Sequence, residues 1–392
     1  MTHDGHGAHA RAEVPLATIA REWSRLGCIG FGGPPAHIAL ARRLCVDERH
    51  WLDGEEFEDG IAAVNLLPGP ASTQLTIFCA WRLRGAVGAV LGGVCFIVPG
   101  LALILALSAV FLSGHPPSAV LGAAAGAGAA VPAVALHAAS MLVPASWRRA
   151  GAGRVGRVRW IAYAVAGGVA AATVGPFLVL VLLACGVTEV AVRRRPAPPS
   201  ARSALAPLGV APAVAVGGIG ALAWVAFKVG ALSYGGGFVI VPLMQHDAVD
   251  AYHWMTSAQF LNAVALGQIT PGPVVLTVAA VGYAAHGVGG GLLAALVAFA
   301  PSFLFVLVGG PRFALLRASS AIQSFLTGAG PAAVGAIAGS AVPLGLAFQH
   351  AWQVPLLVAA LFWLLVLRRG VVTCLLAAGA IGALAALAGA PV

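Results

Sequence analysis

The chain has 392 residues, of which 60% are hydrophobic and only 9% charged, with a mean hydropathy of +0.93. A soluble domain carries about 25% charged residues, so polar surface is too scarce to coat a water-soluble particle, and the sequence reads as an all-α polytopic membrane protein. The net charge of +9 does not point to nucleic acid, because most arginines fall in the connections between apolar runs, which is the pattern of membrane topology.

Residues 1–13 form a polar tail, in which His3, His6 and His9 read as disordered rather than as a metal site. A first repeat is expected over 14–192. Its first helix carries Arg25 and runs into the break Phe31-Gly32-Gly33-Pro34, with His37 just beyond. A partly amphipathic stretch over 36–66 holds Trp51 and the acidic run Asp53–Asp59, read as a solvated helix face. Asn65 precedes a second break, Pro68-Gly69-Pro70, and Ser72, Thr73 and Gln74 follow it. Arg82 and Arg84 lie before the apolar runs 85–112 and 121–143, each long enough for a span. A shorter pair, 160–174 and 176–192, has about 15 residues per arm, or roughly 22 Å. That is short for a crossing, so the arms read as thin-membrane spans or interfacial helices.

A basic, Pro-rich linker over 193–207 is placed in the cytoplasm, and a second repeat is expected over 208–392. It carries Lys228, then Tyr234-Gly235-Gly236-Gly237, a stretch over 239–269 ending in Gln268, then Thr270 and Pro271-Gly272-Pro273. Spans over 288–308 and 321–348 follow, and a short pair over 354–367 and 371–388.

The two halves are copies. Phe31, Trp51 and Pro68 recur as Tyr234, Trp254 and Pro271, each at an offset of 203 residues (234 − 31, 254 − 51, 271 − 68). Arg25 and Lys228, and Asn65 and Gln268, keep the same offset. Charge placement reverses between them. In the first half arginines flank the spans at Arg82, Arg84, Arg148, Arg149, Arg154, Arg157 and Arg159. In the second they fall between the spans (Arg312, Arg317) and at the last hairpin tip (Arg368, Arg369). With arginines held inside, the halves have opposite orientation, an inverted repeat with broken helices.

Such breaks point to a transport site. Proline lacks an N–H and interrupts the helix ladder, and irregular backbone in lipid must be buried in protein or line a cavity. A helix that restarts after a break aims free N–H groups and its positive dipole end at the gap, which suits an anion. Any one break taken alone could equally be a kink or a packing point. Arg25 and Lys228 would supply charge, since a cation in an apolar helix is costly and by default functional; snorkelling to the interface is the other reading. His37, Arg82 and the neighbouring polar groups are further candidate ligands. The six cysteines are scattered without a CxxC pair, so neither a disulfide framework nor a zinc site is indicated. No catalytic residue, cofactor or metal site is expected. A membrane enzyme acting on a lipid phosphate is the rival class, disfavoured because no paired carboxylates, HExxH or GxSxG stand within the apolar runs.

The ordered motifs resemble the chromate ion transporter family in its long, two-domain form. They are Gly27-Cys28-Ile29-Gly30-Phe31-Gly32-Gly33-Pro34, Trp51-Leu52, Leu67-Pro68-Gly69-Pro70, Arg82-Leu83-Arg84-Gly85 and Pro99, then Lys228-Val229-Gly230 through Gly235-Gly236-Gly237, Trp254 and Gln268-Ile269-Thr270-Pro271-Gly272-Pro273. The resemblance implies a secondary transporter that exports chromate across a bacterial-type inner membrane and confers chromate resistance. Sulfate, a close structural analogue, leaves import or exchange of another oxyanion as the alternative. The lipid bilayer and a tetrahedral dianion are the expected partners, with proton coupling and a homodimer left open.

Overall fold

The computed structural model describes residues 13–65, 67, 69–112, 116–151, 153–173, 178–193, 218–233, 238–309 and 319–391. Most of the tail, Pro68, Gly235, Gly236, Arg312, Arg317 and the linker from 194 onward lie outside the described residues. Among the described residues every regular element is helical, and four stretches are long and apolar enough to cross a membrane. The protein is an all-α, multi-pass membrane protein.

α1 (Leu16–Ile29) ends where Gly32 and Gly33 take positive φ values of 99° and 73°, conformations that only glycine adopts without strain. α2 (Pro34–Arg42) begins on two prolines, where the missing N–H costs nothing, and widens into a π turn over Arg43–Glu48. α3 (Gly54–Val64) starts under Asp53, whose side chain accepts the Glu56 N–H at 2.6 Å.

α4 (Ala71–Phe111) is not one rod. Arg84 (φ −145°, ψ 28°) and Gly85 (φ 57°, ψ −148°) leave the helical region, and the chain folds back. Gly88 then faces the Ala80 carbonyl, and Gly92 faces the Ala80 methyl. Residues 80 and 92 would stand about 18 Å apart in a straight helix. The inner arm, 71–83, therefore lies beside the outer arm, 86–111, and only the outer arm is long enough, at about 39 Å, to cross the hydrocarbon layer. Val87, Val90, Val94 and Val98 line its exposed, lipid-facing side.

α5 (Ser118–Ala150) follows, then the hairpin α6 (Arg154–Thr173) and α7 (Leu178–Arg193). α6 starts at Arg154 rather than near 160, because its arginine-bearing first turns are helical too. Three arginines occupy its first two turns, and its apolar part from 160 onward is only about 21 Å long.

The second half repeats the course. α8 (Ile219–Leu232) leads, after a 3₁₀ turn (Phe238–Ile240), to α9 (Val241–Gln245) and a π turn over His246–Ala251. α10 (Ser257–Ile269) opens with a reciprocal Thr256–Gln259 capping box. After a 3₁₀ turn (Val274–Leu276), α11 (Thr277–Gly309) reverses at His286 (φ −146°, ψ 32°) and Gly287 (φ 62°, ψ −153°). α12 (Ser320–Gly339), the short α13 (Ala341–Leu346) and the hairpin α14 (Gln353–Leu361) and α15 (Val371–Leu387) complete it. The duplication is visible in the backbone. His50 and His253 share a left-handed φ of 51° and 52°, 203 residues apart. The reversals match at 202.

Packing crosses the halves. The outer arms of α4 and α11 run antiparallel, with Gly93 against Phe303 and Gly291 against Leu105. The α14–α15 hairpin packs on α5, and the α6–α7 hairpin packs on α12. Each of these contacts is made by glycines that bring backbones together: Gly122 and Gly126 on Gly382 and Ala378, Gly167 and Gly335 on Ala332 and Ala164. This is the small-residue packing that membranes favour, where burial of apolar surface provides no drive.

Candidate functional site

The helix breaks meet across the halves. The Gly30 carbonyl, freed where α1 stops, accepts the Gly272 N–H at 2.9 Å. Gly272, in the middle of Pro271-Gly272-Pro273, has φ 99°. The Pro271 carbonyl presses on Gly100 in the outer arm of α4, where no side chain could fit. Gly69 (φ 118°) lies beside Ser302 of α11. Each Pro-Gly-Pro break thus seats against the spanning arm of the opposite half.

His37 ties these pieces together. It is 1% exposed, with Nε2 2.9 Å from the Gly30 carbonyl and Nδ1 3.2 Å from Ser72 Oγ. A carbonyl can only accept, so Nε2 carries the proton, and in the neutral ring Nδ1 accepts from the Ser72 hydroxyl. The ring stands edge-on to Phe96, 5.2 Å between centroids. Ser72 belongs to the first turn of α4, so the histidine links the end of α1 to the helix start after the Pro68–Pro70 break. Trp23 holds α1 against the same inner arm, donating to the Thr76 carbonyl at 2.9 Å.

Buried polar atoms without a partner gather at the same breaks. They are Thr73 Oγ1 after the first Pro-Gly-Pro, Gln268 Nε2 and Thr270 Oγ1 before the second, Ser233 Oγ at the end of α8, and Ser302 Oγ beside Gly69. A buried hydroxyl or amide lacking a hydrogen bond costs about 1–3 kcal/mol. Five of them lie at or beside the breaks, while others, such as Ser108 Oγ and Trp363 Nε1, lie elsewhere.

The candidate cations are already partnered. Lys228 Nζ lies 2.6 Å from Asp247 Oδ2 of the π turn after α9. Arg25 is 62% exposed and 3.6 Å from Glu22. Glu22 is buried and also takes Arg49 at 2.7 Å and Arg21 at 3.3 Å. Arg82 pairs with Glu56 at the helix reversal. The matched offset of the two cations therefore does not give matched surroundings. Asp247 corresponds to Leu44 in the first half, and Glu22 to Val225, so each carboxylate sits where the other half has none.

Two cavities flank α5. One, of about 240 Å³, is lined by Asn65, Gly69, Ser146, Arg149, Gly330 and Val334 among others. The second, of about 360 Å³, lies at the opposite end of α5 and is lined by Gln259, Asn262, Gln349, His350 and Gln353 together with apolar groups. The sequence alone singled out Asn65 and Gly69. It did not single out Ser146, Arg149 or Ser302 as ligands, although Ser302 takes the place of Gly100 at the offset of 202 that holds beyond the reversal. Among the described residues no cluster of His, Cys, Asp and Glu is spaced to hold a metal ion.

A model of the family described as chromate transporter matches residues 17–190 and 220–383. The chain is 33% identical to the chromate transport protein of Cupriavidus metallidurans, over 86% of this chain and 84% of that protein. It is 29% identical to the probable chromate transport protein of Synechococcus elongatus, over 87% and 88%. It is 30% identical to the chromate transport protein of Pseudomonas aeruginosa, over 84% and 86%. No solved structure matches. With the family model covering both halves and relatives aligned along most of their length, the chain belongs to the chromate transporter family.

Proposed function

We propose that this chain is a secondary transporter, not an enzyme, that exports chromate across the inner membrane and so confers chromate resistance. The observation that carries the reading is the convergence of broken helices from both halves, Gly30 with Gly272 and Gly69 with Ser302, amid buried polar groups that lack partners. The names of the relatives supply chromate as the dianion. Hydroxyl and amide donors at Thr73, Ser233, Gln268, Thr270 and Ser302 suit the oxygens of a tetrahedral dianion, and Lys228 and Arg25, on the helices that lead to the breaks, are the candidate cations. An inside-negative potential assists exit by about 2.3 kcal/mol per charge per 100 mV, so no energy source beyond the membrane is required.

Two repeats over 14–192 and 208–392 with inverted orientation fit this mechanism. The antiparallel outer arms of α4 and α11 and the reversed arginine pattern support the inversion. Glu13 pairs with Arg84 at 3.0 Å, which supports a start of α1 on the arginine-rich side. Inversion requires either that the tail lies outside or that residues 204–216 add a crossing.

Everted membrane vesicles from cells expressing the chain test the reading. They should accumulate labelled chromate in a saturable way, with sulfate competing. Saturable sulfate flux without chromate flux would assign import or exchange of sulfate instead. Absence of any oxyanion flux, with lipid phosphate released, would assign the enzyme class.

A further inference from the structure

We infer that the cavity of about 240 Å³ at the C-terminal end of α5 is the cytoplasmic loading vestibule for the oxyanion, with Arg149 as its recognition cation. The inference rests on the transport reading and adds to it a vestibule that opens onto the first break. Its place is fixed by topology. Arg149 is exposed at the end of α5, next to Arg148 and before Arg154 and Arg157. That is the richest arginine cluster in the chain and belongs inside by the positive-inside rule.

Gly69 lines its floor, and Gly69 borders Ser302 of the opposite half. An ion held here is therefore one step from the candidate site. The volume holds about eight waters, at about 30 Å³ each, enough for a tetrahedral dianion with part of its hydration shell.

The lining is chemically one-sided. Arg149 brings a cation, and no Asp or Glu faces the cavity among the described residues. Ser146 Oγ accepts the Trp160 indole N–H at 2.9 Å, which leaves its own O–H to donate. The Asn65 side chain has no hydrogen-bond partner among the described residues and offers its two amide N–H donors. The cavity at the other end of α5 differs: Gln259, Asn262, Gln349, His350 and Gln353 line it, with no lysine or arginine. A dianion is thus bound by charge on the arginine-rich side and released from a vestibule of neutral amides on the other.

Chromate kinetics in everted vesicles, which expose the cytoplasmic face, test this with the full chain. Arg149→Gln should raise KM about tenfold or more, the loss expected for one charged hydrogen bond, with the maximal rate little changed. Arg149→Lys should recover part of the affinity. Asn65→Asp, which places a carboxylate in the cavity, should raise KM as well. Arg148→Gln, outside the cavity, should behave as wild type. In right-side-out vesicles Arg149→Gln should leave KM at the opposite face unaltered. A wild-type KM for Arg149→Gln in everted vesicles, or equal rises at both faces, overturns the assignment while the transport reading stands. Wild-type vesicles without oxyanion flux would instead remove the transport reading, and the vestibule with it.

Discussion

The Lys228–Asp247 pair offers the sharpest separation of structural from functional charge. Lys228 Nζ is 2.6 Å from Asp247 Oδ2 and 5.9 Å from the Trp224 ring, and the two side chains are only 18% and 9% exposed. Removing one partner of a buried pair strands the other charge and costs about 3–5 kcal/mol, whereas replacing both by apolar groups is often close to neutral. At about 2–4 °C per kcal/mol for a unit of 150–250 residues, Lys228→Met or Asp247→Leu alone should lower Tm by roughly 6–20 °C. The double variant should return to within a few degrees of wild type. Transport should not follow stability. If Lys228 serves the anion, the double variant folds and inserts yet carries no chromate. Thermal unfolding in detergent and chromate uptake by proteoliposomes read the two properties side by side. A double variant that is stable and transports normally would show the lysine to be half of a structural pair and nothing more. Single variants as stable as wild type would show that the pair is not desolvated, and the argument from burial would fall.

The glycines divide into two kinds with different costs. Gly85 has φ 57° and no neighbour within 4 Å of an added Cβ, whereas Gly230 faces the Ala298 carbonyl at a helix crossing. Gly85→Ala should therefore lose only the strain of its glycine-only backbone region (ψ −148°), about 1–3 kcal/mol, and Gly230→Ala should lose more, since α8 and α11 must part; the reverse order of Tm values would contradict the packing. His37→Leu should abolish transport by releasing Gly30 and Ser72, with His37→Gln retaining part of it, and wild-type flux in the leucine variant would show that the link is dispensable. Topology reporters at 153 and 350 should sit in the cytoplasm and outside it respectively, and finding both on one side would refute the inversion.

Much of this architecture is written locally. The breaks are legible because glycine and proline carry their backbone preference with them, and the duplication because an offset of 203 persists through the motifs. The reversal at Arg84–Gly85 is not legible as such. One glycine in an apolar run permits a fold-back, but only the contact of Gly88 and Gly92 with Ala80 selects it. The start of α6 is hidden for a related reason, since its arginines interrupt the apolar pattern but not the helix. The pairing of Lys228 with Asp247 is hidden because the repeat aligns the two cations and not their carboxylates. The exchange of hairpins depends on glycines spread from 122 to 382, whose meeting is a matter of tertiary geometry.

That exchange bears on why two copies of one unit make one site. Within a single half the backbone freed at a break is only partly answered, as the Gly30 carbonyl is by His37. The Gly30 carbonyl is answered by Gly272, the Pro271 carbonyl seats on Gly100, and Gly69 lies by Ser302. A buried amide left unpaired costs about 1–3 kcal/mol, so the second half on its own would carry that cost at the Gly272 N–H in a medium with no water to relieve it. Reciprocal packing of α6 and α7 on α12, and of α14 and α15 on α5, removes the option of separation. The polar groups still unsatisfied once the halves have joined, at Thr73, Ser233, Gln268, Thr270 and Ser302, are therefore not the leftovers of one unit's folding. Under the transport reading they are the candidate donors for the guest anion, supplied by both halves.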